Sequence, residues 1–226
     1  MSILILRLEG PLQSWGEHSV YFEEGDTATM PTKSGIMGLL ACALGISKEE
    51  STEIATLSDA LTIGIRADRP GKILIDFQTT GAKRLQTANH KARGEKQSTI
   101  CAHKQYLEDA AFTVAITSKD ESLLKHIADA LQHPSWSIFL GRKSCVPTRP
   151  VFEGFLDGDS LLDALKTIPA LPQRPTKEPA KSLTVELEEN SPHGVGLFRQ
   201  DIPSERSRYF YSRLVHRMQI PIPIGE

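Results

Sequence analysis

Lys33 is the residue whose setting most demands a chemical partner. It lies in the run Met30-Pro31-Thr32-Lys33-Ser34-Gly35-Ile36-Met37-Gly38. Pro31 interrupts the preceding backbone, and Thr32 or Ser34 can cap the orphan N–H groups of a helix that starts here. Lys33 then sits at the positive end of a helix dipole, where a cation is unfavourable unless an anion shares the site. Helix N-termini readily accept phosphate, so an anionic ligand is one reading. A helix that simply packs, with the lysine in water, is the other. Gly35 and Gly38 each cost about 1 kcal/mol of helix stability relative to alanine. Close approach of a neighbouring backbone is the compensation expected.

Two further groups could hold anions. Thr79 to His103 carries Lys83, Arg84, His90, Lys91, Arg93, Lys96 and His103 against a single acid, Glu95. It has almost no apolar residues and no period, and so long a structureless loop is usually functional or disordered. Arg142 and Lys143 lie in a glycine-led turn, Gly141 to Pro147. A solvated loop and a surface turn are the plain alternatives. Trp15 is either a packing residue or a base-stacking aromatic. Arg7, inside an apolar strand, is expected to be paired. Arg199 and Arg206 are either surface charges or phosphate ligands.

These residue types bound the chemistry. No Cys-x-x-Cys, His-x-x-x-His or carboxylate cluster is present, so no metal site and no cofactor are expected. Neither GxxxxGK[ST] nor GxGxxG occurs, which argues against nucleotide hydrolysis. Metal-free RNA cleavage needs a general base, a general acid and cations for the phosphorane charge. His90, His103, Lys104 and Tyr106 are suitable types. Nucleic-acid binding without chemistry needs only the three basic groups.

The elements that must position these groups follow from periodicity and punctuation. Strands are expected at Ile3 to Glu9, Leu61 to Asp68, Ile73 to Gln78, Ala111 to Ile116, Ser137 to Leu140, Leu183 to Glu188 and Arg208 to Arg217. Ile73 to Gln78 is expected to return as the hairpin partner of Leu61 to Asp68. Helices are expected at Ser34 to Leu44, ended by Gly45, at Ser47 to Asp59, at Glu121 to Leu131 and at Ser160 to Ile168. Pro169 to Pro179 reads as a linker, and Ile220 to Pro223 as extended chain. The first half approximates a β-α-β-β-α-β order, as in a ferredoxin-like α+β fold with the basic segment inserted.

Composition sets the outer limits. The 226 residues carry a net charge of −2, which excludes a protein coated in nucleic acid but allows one basic patch. The three cysteines are far apart, so free buried thiols in a reducing cytoplasm are expected. The apolar N-terminus is short and broken by charge, so it reads as a strand, not a signal peptide.

Leu4 to Gly16, which contains Gly10-Pro11-Leu12-Gln13-Ser14-Trp15-Gly16, and Pro31 to Leu40 together resemble the N-terminal signature of the CasD subunits of type I-E CRISPR Cascade, members of the RAMP superfamily. Tyr106 to Val114 is similar to the strand after that family's thumb, and Leu140 to Pro147 to its basic turn. The matches span most of residues 3 to 155, and residues 156 to 226 match loosely. The resemblance implies a ferredoxin-like (RRM/RAMP) domain over 1–155, with a β-hairpin thumb at about 76–108. A smaller β-containing part over 156–226 would follow. It implies a non-catalytic subunit that holds the 5′ handle of the CRISPR RNA. Its neighbours would be a CasC-type backbone subunit and a CasA-type large subunit, and target DNA would be selected by the guide. A related type I-C subunit cleaves its precursor, so a metal-independent endoribonuclease is the alternative. The candidate RNA-binding residues are Gln13, Trp15, Lys33, Ser34, Lys83, Arg84, His90, Lys91, Arg93, Lys96, His103, Lys104, Arg142 and Lys143.

Overall fold

The structure is a computed structural model, and it describes residues 1–16, 24–82, 98–172, 180–206 and 209–223. Strand β1 (Ser2–Glu9) is followed by the short β2 (Leu12–Gln13) and β3 (Glu24–Gly25). Helices α1 (Lys33–Leu44) and α2 (Ser51–Ala60) lead to β4 (Thr62–Arg69), β5 (Lys72–Ala82), β6 (Ser98–Glu108) and β7 (Ala111–Thr117). Helix α3 (Glu121–Gln132), β8 (Phe152–Asp157) and α4 (Leu161–Thr167) precede β9 (Ser182–Leu187), β10 (Val195–Pro203) and β11 (Phe210–Pro221). Among the described residues no helix is long and apolar enough to cross a membrane.

Seven strands form one sheet in the order β10-β11-β9-β4-β7-β1-β8. Within it each neighbouring pair of the run β4-β7-β1-β8 is antiparallel. Helix α1 connects β1 to β4, and α3 connects β7 to β8, which is the strand order a β-α-β-β-α-β unit requires. Side chains alternate across β1, as a pleated strand demands. Leu4, Leu6 and Leu8 join a core with α1 and α3, whereas Ile3 and Ile5 join a second core under α4.

Local signals explain the helix ends. Thr32 is the N-cap of α1, its Oγ1 accepting from the Gly35 N–H at 3.2 Å. Gly45 ends the helix in the left-handed region at φ 79°. Gly35 is tolerated because a Cβ there would stand 2.7 Å from Cε3 of Trp15, so the close neighbour is an indole and not a backbone. Gly38 faces open space, and nothing in the structure accounts for it. Helix α2 begins at Ser51, later than expected. Glu50 reaches back to the Ser47 N–H at 2.6 Å, as in half of a capping box, but it closes a turn ahead of the helix.

Four expectations need correction. Strand β5 does not pair with β4, whose two neighbours are β7 and β9. Instead β5 leaves the main sheet at Gly71 (φ 73°) and pairs with β6 from Lys72↔Glu108 to Ala82↔Ser98. Ser137 to Leu140 is not a strand, since the Leu140 carbonyl and N–H are spent on Ser14 and Cys145. The last strand of the unit is β8, so the expected division at 155/156 falls inside an element. Residues beyond it extend the same sheet, because β9 pairs with β4. Strand β10 was not expected at all.

Candidate nucleic-acid interface

The strands β5 and β6 form an antiparallel arm that leads into the basic segment. Lys83, Arg84, His90, Lys91, Arg93 and Lys96 lie outside the described residues. The root of the arm is built by four pieces of chain. β2 and β3 both pair with β6, at Leu107–Glu108 and at His103–Lys104. The turn after Leu140 is fastened beside them. Gly141 takes φ 88°, and a Cβ there would fall 1.7 Å from the Ser14 carbonyl oxygen, so only glycine lets the turn seat. The Cys145 N–H closes it on the Arg142 carbonyl at 2.8 Å.

Arg142 is the bolt of this root. Its Nη1 donates to the Gln105 carbonyl at 2.9 Å and its Nη2 to the Asp26 carbonyl at 3.3 Å. The guanidinium also lies over the Tyr106 ring, 4.8 Å from its centroid. A Cβ at Gly25 would stand 2.6 Å from Arg142 Nη2 and 3.7 Å from Lys104 Cγ. Glycine at position 25 therefore leaves room for the Arg142 guanidinium and the stem of Lys104. His103 is exposed one residue before Lys104 on β6, and Lys143 is exposed one residue after Arg142. Arg142 thus organises the root through carbonyls and a ring, with part of its five-donor fork left over.

The other candidates are placed elsewhere. Gln13 is fully buried, its Nε2 donating to the carbonyls of Leu8 (3.0 Å) and Ala110 (2.8 Å) and its Oε1 accepting from Trp15 Nε1 at 3.0 Å. Trp15 is fully buried against Gly35. These two are packing residues in this structure, a correction whose reason is that every polar atom of the pair is already met. Ser34 is partly exposed, with its hydroxyl donating to Thr32 Oγ1 at 3.3 Å.

Lys33 also requires correction. Its side chain is buried, and Nζ donates to the Leu61 carbonyl at 3.0 Å and to Glu188 Oε1 at 2.8 Å. Its backbone N–H donates to Asp201 Oδ2 at 2.7 Å. The anion that the helix start calls for is supplied by two carboxylates of the chain itself. Arg213 joins them, with Nε and Nη2 on Asp201 at 2.6 and 2.9 Å and Nη1 3.1 Å from Glu188. Arg199 is likewise buried, paired with Glu186 at 2.8 Å, while Arg206 is exposed. Replacing Lys33 with methionine should therefore lower stability while leaving the salt dependence of RNA binding unchanged. A flattened salt slope in a fluorescence-anisotropy titration would instead mark a lost phosphate contact.

Sequence reasoning missed the partners Glu186, Glu188 and Asp201, for which no local signal existed. It placed Arg7 correctly. Arg7 Nη1 meets Asp68 at 3.0 Å, and burial holds its guanidinium below the ordinary value. Burial also pushes the Cys42 and Cys145 thiols up, but Cys101 is exposed, contrary to expectation.

The family model described as CRISPR-associated protein (Cas_Cas5) matches residues 3–219. This chain belongs to that family. The Cas5-family chain is 35% identical over 164 residues to the CRISPR system Cascade subunit CasD of Escherichia coli (strain K12), covering 68% of this chain and 70% of the relative. Two solved structures superpose well on it. One is a chain of a CRISPR RNA-guided surveillance complex, with TM-score 0.78 and 33% identity over 98% of this chain and 91% of that one. The other is described as a crystal structure of a Cas protein, with TM-score 0.71 and 32% identity over 99% of this chain and 98% of that one. The mixed α and β architecture with antiparallel sheets is therefore shared with Cas5-family structures.

Proposed function

We propose that this Cas5-family chain is a non-catalytic subunit of a type I-E CRISPR RNA-guided surveillance complex and that it holds the 5′ handle of the CRISPR RNA. The observation that carries this reading is that Arg142 and Lys104 meet beside Gly25 at the root of the β5–β6 arm, whose strands run into the basic segment. On this reading the arm is the thumb. The cations position the RNA by its phosphates, while bases specify it. A CasC-type backbone subunit and a CasA-type large subunit are its neighbours, and target DNA is met through the assembled complex. The modest net charge fits one RNA-facing patch on a body whose other faces meet protein.

The test is a synthetic repeat RNA incubated with the full chain in EDTA. Binding without cleavage is expected. Cleavage at the 5′ end of the handle, lost in His90→Ala or His103→Ala, would establish the nuclease instead. Lys104→Ala and Lys143→Ala should each weaken binding and reduce the salt slope by about 0.7, the value for one lost single-strand phosphate contact. A scaffold that grips only protein would show no change in either.

A further inference from the structure

Along one edge of β6 the strand pairing is interrupted. β2 pairs at Leu107–Glu108 and β3 at His103–Lys104, so Gln105 and Tyr106 lie between two short neighbours. Side chains fill the gap. The Gln105 carbonyl accepts from Arg142 Nη1 at 2.9 Å and from the Ser14 hydroxyl at 3.4 Å. The carbonyl of Asp26, the residue after β3, accepts from Arg142 Nη2 at 3.3 Å. Between these bonds the guanidinium rests over the ring of the buried Tyr106. One side chain from the turn thus ties β6 to the end of β3, where a backbone rung is missing. Lysine cannot replace it, because an ammonium lacks the planar fork that reaches two acceptors and stacks on a ring.

This clasp accounts for a glycine. Gly25 lies in β3 and its φ is not positive, so backbone conformation does not demand glycine there. Glycine weakens a strand and often marks the close approach of another group. Here that group is Arg142, since a Cβ at position 25 would stand 2.6 Å from its Nη2 and 3.4 Å from its Cζ. Alanine would spare the backbone and unseat the guanidinium. The clasp also lies between two cations on separate pieces of chain. Lys104 pairs with Gly25 and precedes Gln105, which Arg142 holds. Lys143 is exposed and follows Arg142 in the turn. Cations held at a set spacing can meet phosphates without the entropy cost of ordering two segments on binding.

We propose that Arg142 is a positioning residue for RNA binding. Its clasp on Gln105, Tyr106 and Asp26 sets Lys104 on β6 against Lys143 on the turn, and Gly25 is the opening through which the clasp closes. The proposal rests on the handle-binding reading above and names what arranges its cations.

The test uses the full chain and a fluorescent single-stranded RNA of the repeat-derived handle sequence, titrated well below the melting temperature of each variant. Gly25→Ala removes no charge, yet it should weaken binding about threefold to thirtyfold and leave the salt slope unchanged. Arg142→Ala should do the same, and Arg142→Lys should not restore affinity although it keeps the charge. Combined with Arg142→Ala, Gly25→Ala should add nothing, because the guanidinium it displaces is already gone. If Arg142→Lys binds as the wild type and Arg142→Ala lowers the salt slope by about 0.7, Arg142 is a phosphate ligand and the clasp is wrong. If Gly25→Ala and both Arg142 variants melt lower but bind as tightly as the wild type, while Lys143→Ala binds more weakly, the clasp is structural only. The proposal then falls and handle binding stands. If Lys104→Ala and Lys143→Ala also bind as the wild type, both readings fail.

Discussion

Asp68→Asn should destabilise the protein by about 3–5 kcal/mol, the cost of removing one partner from a buried ion pair. For a chain of this size that corresponds to a fall in Tm of about 6–20 °C, read by thermal unfolding. The reason lies in the middle of the sheet. Asp68 and Arg66 are fully buried on β4, and Arg7 comes in from β1. Asp68 Oδ1 accepts from Arg66 Nε at 2.6 Å, and its Oδ2 accepts from Arg7 Nη1 at 3.0 Å and from Thr113 Oγ1 at 2.6 Å. The arginines in turn donate to the end of α4 and the chain after it. Arg66 Nη1 reaches the carbonyls of Leu165 and Ile168, and Arg7 Nη2 reaches that of Pro169 at 2.8 Å. Two cations at a helix C-terminus are favourable for the dipole, but they need a carboxylate to stay charged in the core. Asparagine keeps the shape and removes the charge. Glu153, 3.6 Å from Arg7 Nε and partly exposed, is the control, and Glu153→Gln should cost no more than about 1 kcal/mol. Equal losses from the two substitutions would mean that burial is not what gives Asp68 its weight.

What could be read from the sequence follows from how far each determinant lies along the chain. The caps of α1 are local, and Thr32 and Gly45 act where their types predict. The hydrophobic face of α3 is also local, with Leu124, Ile127, Ala128 and Leu131 buried as their spacing requires. Pairing is not local. Ile73 to Gln78 has a strand's alternation, but whether it joins β4 or β6 depends on which edges other strands have taken. β8 was hidden by its bulge. Gly154 takes φ 150° where the β1 register shifts, and Phe152 and Phe155, three apart, sit with ring centroids 6.1 Å from each other. β10 was hidden because its inward positions include Arg199 and Asp201, which are buried only because distant partners neutralise them. A far greater separation hides the partners of Lys33. Its local setting announced a need for an anion, yet the carboxylates that meet it lie 155 and 168 residues away.

Those carboxylates carry the second large effect. Asp201→Ala should cost about 3–5 kcal/mol, and the loss should be concentrated in β10 and β11. Asp201 does two things at once. It accepts the Lys33 N–H at the start of α1, and it holds Arg213 through two hydrogen bonds. Burial alone would lower the Arg213 guanidinium. Its hydrogen bonds and charge interaction with Asp201, aided by Glu188 and Glu186, outweigh that and hold it above the ordinary value. Without Asp201, the ion pair left to Arg213 among the described residues is with Glu188, which must also serve Lys33 and the Ile63 N–H. In the outer hairpin β11 joins the sheet along β9, and β10 packs against α1 and α2, meeting the start of α1 through this cluster. Native-state hydrogen exchange should therefore show β10 and β11 amides opening ahead of β1 and β7 in the variant. Asp201→Asn separates the two roles. It keeps an acceptor for the helix start, worth about 0.5–2 kcal/mol, and loses the charge that Arg213 needs. If asparagine restores the hairpin's protection, Asp201 works as a cap. If it opens the hairpin as alanine does, the pair with Arg213 fastens the C-terminal strands to the start of α1, and Lys33 sits in protein-made electrostatics with no vacancy for phosphate.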